Sequence, residues 1–152
     1  EELGIPWGEL AFMQTPQGKL YLNNASDVYP NFNFNLTHAG DWVLVVSDAY
    51  HIIGVDVMKV QCQPPVSNTA DNVADFFDRF TCVFTAAEWK VIMQAIGPRD
   101  KLEQFYTFWT LKEAYLKAIG LALGFDLLRL EFTLRDWITD GKHRIATCHM
   151  DG

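Results

Sequence analysis

The chain has 152 residues, 49% of them hydrophobic, which suits one domain with a substantial core. Its 11 Phe and 5 Trp exclude a disordered or low-complexity chain. The formal net charge of −7 argues against general nucleic-acid binding, because proteins of that class present a basic face. A small polyanionic ligand is compatible with this charge if a few lysines and a metal ion neutralise it locally.

The cysteines and the apolar runs indicate the compartment. Cys62, Cys82 and Cys148 are odd in number and widely spaced, so they form no disulfide framework and suggest a reducing environment. The longest apolar runs, such as WVLVV (42–46), are too short to cross a bilayer, and the residues EELGIPWGEL (1–10) do not resemble a signal peptide. We therefore expect a cytoplasmic protein without a membrane partner.

The first third of the chain alternates between apolar and polar residues as β-strands do. Two segments, TPQG (15–18) and HAGD (38–41), carry the glycine and polar residues of tight turns. The predicted strands are 8–14, 18–24, 31–36, 41–48 and 51–58.

Helical patterns follow a linker at 61–72. Val73, Phe76, Phe77 and Phe80 recur on one helical face. The segment TAAEW (85–89) is a capping box, in which Thr85 and Glu88 satisfy each other's backbone amides, and Gly97 and Pro98 are expected to end that helix.

A second predicted cap, DKLE (100–103), uses Asp100 and Glu103 to open a helix that runs to residue 119 and ends at Gly120. Two further strands, 127–134 and 143–150, flank the turn TDGK (139–142). Strands that largely precede helices and then return predict the α+β class.

Asp56 and Glu113 are the two carboxylates considered as candidate site residues. Asp56 lies among strand-like apolar residues, and its ordinary interpretation is a strand-end acid that accepts backbone amides. Glu113 shares a helical stripe with Phe105 and Trp109, and it is either half of a surface pair with Lys117 or part of a cleft.

An acid from a strand and an acid from a helix would together make a minimal site for a hard cation such as Mg²⁺. Phosphate oxygens and water would complete its coordination, and a neighbouring lysine would neutralise the phosphate. His38 is either a capped residue or a phosphate contact, and Lys19 is either solvated in its turn or a second phosphate contact.

Four segments resemble, in order, the signature blocks of 4′-phosphopantetheinyl transferases of the larger, pseudodimeric, surfactin-synthetase-type class. The similarity is greatest to the animal branch associated with aminoadipate-semialdehyde dehydrogenase. The segments are NLTHAGDW (35–42), GVDVMK (54–59), FTAAEW (84–89) and FWTLKEAYLKAIGLALGF (108–125).

The resemblance implies an α+β fold in which an antiparallel sheet packs on helices, and the whole enzyme is a monomeric pseudodimer of two similar halves. In this interpretation residues 1–50 hold the C-terminal part of the first half, and residues 51–152 form the second half without its closing strand. The chain would then be an incomplete portion of a longer polypeptide.

The implied activity is that of a holo-[acyl-carrier-protein] synthase, which moves the phosphopantetheine arm of coenzyme A to a serine of an apo carrier protein. Mg²⁺ would be held by Asp56 and Glu113, and the catalytic residues would be Glu113, as base, and Lys117, against phosphate charge. The implied coenzyme-binding residues are Gln17, Gly18, Lys19, Asn35, Thr37, His38, Asp56, Lys112 and Lys117.

Three positions depart from the family pattern. Leu20 replaces a usual proline, Met58 replaces a third acidic ligand of bacterial members, and Gln14 replaces an arginine of the animal branch. Gln14 and the expected incompleteness of the chain motivate one alternative to the transferase, a non-catalytic module that binds coenzyme A or a carrier protein. A third possibility is an unrelated Mg²⁺-dependent phosphohydrolase that uses the same carboxylates, Asp56 and Glu113.

Overall fold

The computed structural model describes residues 3–25, 27–62, 69–121, 124–136 and 144–150. The chain divides into two compact units, the first formed by Glu1–Lys59 and Glu113–Phe125 and the second by Val60–Lys112 and Asp126–Gly152. This division differs from the predicted halves 1–50 and 51–152, which concern a larger pseudodimer and stay a prediction. No helix in the described ranges is both long and apolar enough to cross a membrane.

The first unit contains two antiparallel hairpins. Strand β1 (Phe12–Gln14) pairs with β2 (Leu20–Leu22), and the predicted turn between them is confirmed, with Gly18 at a φ of +94°. Strand β3 (Asn33–Ala39) pairs with β4 (Trp42–Asp48) along their full lengths. Gly40, at a φ of +58°, makes the predicted turn of this second hairpin, because glycine adopts that backbone conformation at low cost.

The predicted strand at 51–58 is wrong, because the structure places neither a strand nor a helix there. Side chains take the place of a strand partner: Asn35 Oδ1 accepts from the Val55 amide at 2.9 Å, and Lys117 Nζ donates to the Val55 carbonyl at 3.4 Å. An apolar run with β-branched residues favours extended backbone, but it cannot specify a ladder without a neighbouring strand.

The second unit is built on helices and a dense aromatic core. Helix α1 (Ala70–Phe77) carries the predicted apolar face and continues as a single 3₁₀ turn to Phe80. Helix α2 (Ala86–Gln94) begins with the predicted capping box of Thr85 and Glu88. Phe105 lies at the centre of the core, with ring centroids 5.0 Å from Phe76 and Phe84 and 5.2 Å from Phe77.

Helix α3 (Gly97–Ile119) begins three residues earlier than predicted. Pro98 falls in its first turn, where the missing N–H would have no partner in any case, so Asp100 does not open the helix. The predicted end is confirmed: Gly120 has a φ of +71°, and the Leu121 amide donates to the Leu116 carbonyl at 3.0 Å, the closing bond of a Schellman motif.

Strand β5 (Leu130–Asp136) pairs antiparallel with β6 (Arg144–Met150) over seven residue pairs. Residues Leu127–Arg129 form a 3₁₀ turn capped by Asp126, so the predicted strand begins three residues later than expected. The predicted turn 139–142 and residues 63–68 of the linker lie outside the described residues.

The mixture of helices and antiparallel strands confirms the α+β class. Within the described ranges the strands form three separate two-stranded pairs, β1–β2, β3–β4 and β5–β6. The single sheet packed on helices, and the pseudodimer, stay predictions.

Candidate functional site

Asp56 is the most constrained carboxylate of the first unit. Its Oδ1 atom accepts hydrogen bonds from Lys117 Nζ at 2.5 Å and from Thr37 Oγ1 at 3.1 Å, and its side chain is only 7% exposed. Its Oδ2 atom is buried and has no hydrogen-bond partner within the described part of the chain. An unpaired buried carboxylate oxygen is costly, so this atom marks a position where a cation would be stabilised.

Lys117 lies in the last turn of α3 and donates hydrogen bonds to three acceptors. Its Nζ atom contacts Asp56 Oδ1, Thr37 Oγ1 at 3.1 Å and the Val55 carbonyl at 3.4 Å. The side chain is 30% exposed, so part of it is accessible to solvent. A partly exposed lysine that already neutralises a carboxylate can also attract an incoming anion.

Glu113 lies on α3 one helical turn before Lys117 and is half-buried. Burial raises its pKa, the negative charge of Asp56 raises it further, and Lys117 partly opposes both effects. A carboxylate whose pKa is raised is a better proton acceptor than an ordinary surface glutamate. The structure thus brings Asp56, Glu113 and Lys117 into one electrostatic group.

The β3 residues assigned to the coenzyme fall on opposite faces of the strand. Asn35 and Thr37 share one face and bond to Val55 and Asp56 respectively. His38 lies on the other face and is exposed, so the structure does not bring it into this hydrogen-bond network.

The β1–β2 turn carries the other predicted coenzyme contacts. Lys19 Nζ donates to the Ala118 carbonyl at 2.5 Å, close to the C-terminus of α3, where the helix dipole favours a cation. Partial burial lowers the pKa of Lys19. Gln17 and Gly18 are exposed, and Gln14 Nε2 donates to the Gly18 carbonyl at 2.9 Å, so this departure from the family pattern supports the turn.

Lys112 does not belong to this group, and its assignment as a coenzyme contact does not fit the structure. Its side chain is fully buried in the second unit, where Nζ pairs with Glu88 Oε2 at 2.8 Å. The same ammonium donates to the carbonyls of Leu127 at 2.8 Å and Leu130 at 2.6 Å. With all three donors used and no exposed surface, this lysine has a structural role.

Gly54 is a position that shapes the candidate site and that the sequence interpretation missed. A Cβ atom there would run into the Ala114 carbonyl oxygen and lie 2.7 Å from the Ala118 amide nitrogen. Only glycine therefore allows the segment that carries Asp56 to lie against the backbone of α3. An isolated glycine within an apolar run is the signal that indicates such a close approach.

The donor set fits a hard divalent cation. Two carboxylates with one unpaired buried oxygen match the one or two carboxylates that usually hold Mg²⁺, which keeps water and phosphate oxygens as its other ligands. No cluster of three or more His, Cys, Asp or Glu side chains suited to a metal occurs among the residues that the structure describes. Met58, half-buried two residues after Asp56, adds no oxygen ligand.

Comparison with known proteins identifies the family. Residues 52–147 match the family model of the 4′-phosphopantetheinyl transferase superfamily, and residues 1–50 match that of the 4′-phosphopantetheinyl transferase N-terminal region.

The similar curated proteins carry names from the same family. The chain is 38% identical over 135 residues, 88% of its length, to the L-aminoadipate-semialdehyde dehydrogenase-phosphopantetheinyl transferase of Homo sapiens. It is 36% identical over its whole length to the phosphopantetheinyl transferase of Thraustochytrium sp., and 33% identical over 85% of its length to a 4′-phosphopantetheinyl transferase of Paxillus involutus. The chain spans 42%, 50% and 51% of the lengths of these three relatives. On the family match across most of its residues, the chain belongs to the 4′-phosphopantetheinyl transferase superfamily.

Proposed function

We propose that this chain carries the active site of an enzyme that transfers the 4′-phosphopantetheine arm of coenzyme A to a serine of an apo carrier protein. The observation that carries the proposal, beyond the family match, is the buried and unpartnered Asp56 Oδ2 in the same electrostatic group as Glu113 and Lys117. Cytoplasmic location and a monomeric full-length form stay predictions.

The reaction exchanges the phosphoanhydride bond of coenzyme A for a phosphodiester bond to serine. The serine hydroxyl oxygen forms a bond to the phosphorus that bears the pantetheine arm. The bond from that phosphorus to the bridging diphosphate oxygen breaks, so that adenosine 3′,5′-bisphosphate leaves. Glu113, whose pKa is raised by burial and by Asp56, accepts the serine proton directly or through a water molecule.

Lys117 and Asp56 provide the charge balance around the diphosphate. The Lys117 ammonium, held by Asp56 and Thr37, is positioned to stabilise phosphate charge as the bond breaks. Asp56 and Glu113 would hold Mg²⁺, which supplies Lewis-acid neutralisation of the diphosphate when bound. Positioning and charge neutralisation are the main requirements of phosphoryl transfer, and these residues supply both.

The remaining coenzyme contacts are assigned to the β1–β2 turn and to His38. Lys19 donates one ammonium proton to the Ala118 carbonyl, and its other two donors have no partner among the described residues, so they can bind a phosphate. Gln17 and Gly18 are exposed beside it, and His38 is the exposed imidazole of β3, assigned to the 3′-phosphate.

The experiment measures transfer from coenzyme A to an apo carrier protein by mass spectrometry, using the protein in its natural full-length form. We expect the carrier to gain the mass of one phosphopantetheine arm, and Glu113→Gln to lower the rate about 10²-fold or more, since a positioned general base contributes that much. The matched control is Glu103→Gln on the same helix, an exposed glutamate paired with Arg99, which is expected to retain wild-type turnover.

Other outcomes of this experiment contradict the proposal. Tight coenzyme A binding without transfer, and without dependence on Mg²⁺, identifies a binding module. Release of phosphopantetheine or inorganic phosphate into water without a carrier identifies a phosphohydrolase. Wild-type turnover by Glu113→Gln removes the residue from its role as base.

A further inference from the structure

We propose that Gly54 determines which divalent cation the candidate site prefers, because it fixes the separation between the segment that carries Asp56 and the helix that carries Glu113. Gly54 is then a positioning residue for the cation of the proposed transferase, so its role rests on the proposed function. The consequence is a preference for Mg²⁺ over the larger Ca²⁺, and this preference is lost when residue 54 carries a side chain.

Gly54 lies against the backbone of α3. A Cβ atom added at this position would run into the Ala114 carbonyl oxygen, and it would lie 3.0 Å from the Ala114 carbonyl carbon and 2.7 Å from the Ala118 amide nitrogen. The backbone of a helix cannot move aside as the end of a flexible side chain can. Any side chain at residue 54 therefore moves the segment away from α3.

The backbone conformation of Gly54 does not itself require glycine. Its φ lies outside the left-handed region, in contrast to those of Gly18, Gly40 and Gly120. Alanine can adopt the same backbone angles, so only the narrow space between the segment and the helix excludes it. Substitution of this residue is therefore a direct probe of that separation.

The close approach lies next in sequence to both carboxylates of the site. Ala114 directly follows Glu113 on α3, and Asp56 lies two residues after Gly54. Residues 52–59 belong to no strand or helix, so ladder hydrogen bonds do not hold this segment in place. A change in the separation of the two backbones therefore changes the separation of the two carboxylates.

Lys117 also joins the segment to α3, but it does not fix the separation. Its Nζ atom donates to the Val55 carbonyl at 3.4 Å and to Asp56 Oδ1 at 2.5 Å. The flexible four-carbon stem of a lysine can follow a displaced segment by rotation. The backbone contact at Gly54 has no such freedom, so it is the contact that sets the distance.

Mg²⁺ and Ca²⁺ make different demands on a pair of carboxylates. Mg²⁺ binds oxygen at about 2.0–2.1 Å in a near-ideal octahedron, whereas Ca²⁺ accepts about 2.3–2.6 Å in a flexible geometry with more ligands. Carboxylates that a backbone contact holds at a fixed separation favour the ion with the stricter geometry. Moving the segment away from α3 therefore weakens Mg²⁺ binding more than Ca²⁺ binding.

The test is a Mn²⁺ titration of the full-length protein with bound coenzyme A and no carrier protein. Electron paramagnetic resonance measures the free ion, Mg²⁺ or Ca²⁺ is then added as a competitor, and a blank with coenzyme A alone corrects for ions bound by the free coenzyme. We expect the wild type to prefer Mg²⁺ over Ca²⁺ about tenfold or more. Gly54→Ala is expected to weaken Mg²⁺ binding about 10- to 100-fold, the range for groups that orient a metal ligand, and to change Ca²⁺ binding by less than about threefold.

Two controls separate the effect of spacing from a general loss of stability. Gly8→Ala is the same substitution at a position where the Cβ atom would meet nothing within 4 Å. Leu22→Ala removes a side chain of the same unit that is only 6% exposed, so it lowers the melting temperature by leaving a cavity. Both variants are expected to keep the wild-type ratio of Mg²⁺ to Ca²⁺ affinity.

Three results would overturn the proposal. A wild type that binds Ca²⁺ as tightly as Mg²⁺ would do so without any variant, which keeps the proposal testable if Gly54→Ala does not fold. A folded Gly54→Ala protein with the wild-type ratio of affinities, or an equal loss of that ratio in Leu22→Ala, would do so as well. These results leave the transfer reaction standing, whereas a wild-type complex that binds no Mn²⁺ would contradict both the cation preference and the role of the metal in the proposed function.

Discussion

Replacing Lys112 by methionine is expected to destabilise the protein severely and to leave the residues of the proposed coenzyme site unchanged. The ammonium group is fully buried and lies 2.8 Å from Glu88 Oε2, 5.6 Å from the centre of the Phe84 ring, and within hydrogen-bond distance of the carbonyls of Leu127 and Leu130. Methionine fills most of the same volume but donates nothing.

The magnitude follows from what remains after the substitution. Glu88 still accepts from the amides of Thr85 at 2.9 Å and Phe132 at 2.9 Å, but its charge would be buried without a counter-ion. Breaking a buried pair by removing one partner typically costs about 3–5 kcal/mol, and two carbonyls also lose their donor. We therefore expect the free energy of unfolding to fall by about 3–5 kcal/mol.

The assay is equilibrium urea unfolding followed by tryptophan fluorescence, which the five tryptophans of the chain support. Arg99→Gln is the matched control, because its pair with Glu103 lies on the same helix with side chains 80% and 47% exposed. An exposed pair of this kind contributes about 0–1 kcal/mol.

The double variant Lys112→Met with Glu88→Gln separates the pair from its surroundings. Glutamine at position 88 removes the buried negative charge that Lys112→Met leaves without a counter-ion. We therefore expect the double variant to be more stable than the sum of the two single effects predicts, by about 0.5–3 kcal/mol. A loss below about 1 kcal/mol for Lys112→Met, together with weakened coenzyme A binding, would refute the structural role and restore the coenzyme contact.

Two further substitutions test local features of the fold. Gly54→Ala places a Cβ atom against the Ala114 carbonyl and is expected to lower the free energy of unfolding by about 1–3 kcal/mol, measured by thermal unfolding. The control is Gly8→Ala, whose Cβ would meet nothing within 4 Å and which should change stability by less than about 0.5 kcal/mol. Equal effects of the two substitutions would contradict the close approach of Gly54 to helix α3. Burial raises the pKa of Tyr106 to about 12, and the charge of Cys62 adds to this effect. The folded state therefore favours the neutral phenol, and the stability that the neutral phenol contributes is lost as the pH rises from about 10 to 12. Tyr106→Phe removes the 2.6 Å hydrogen bond to the Gln61 carbonyl and is expected to lower the free energy of unfolding in urea by about 1 kcal/mol at pH 8. This difference from wild type should shrink or reverse near pH 12. A difference that does not change with pH would contradict the raised pKa.

Local signals in the sequence predicted the local features of the fold. The capping box of Thr85 and Glu88 and the two hairpin turns depend on residues within four positions of each other, and all three are confirmed. The start of α3 was misplaced because Asp100 and Pro98 are both acceptable in a first helical turn, and the pattern alone did not decide between them.

Long-range contacts explain what the sequence did not predict. The course of the Asp56 segment depends on Asn35 and on Lys117, the latter 61 residues away from Asp56, and no periodic pattern encodes such contacts. Lys112 and Lys117 are both lysines of helix α3, and the sequence does not distinguish them. The ammonium group of Lys112 is bonded to Glu88 and two carbonyls, whereas that of Lys117 is bonded to Asp56 and Thr37. The sequence identified the chemically useful residue types, and packing decided which of them share a site.

The most direct test of the account is a crystal structure determined from crystals grown with MnCl₂ and coenzyme A, with the ion located by its anomalous scattering. We predict an anomalous peak within coordination distance of both Asp56 Oδ2 and a Glu113 carboxylate oxygen, since that pair of acids is the proposed cation site. A well-ordered coenzyme diphosphate with no peak between these two carboxylates, or with the peak bound elsewhere in the chain, would contradict it.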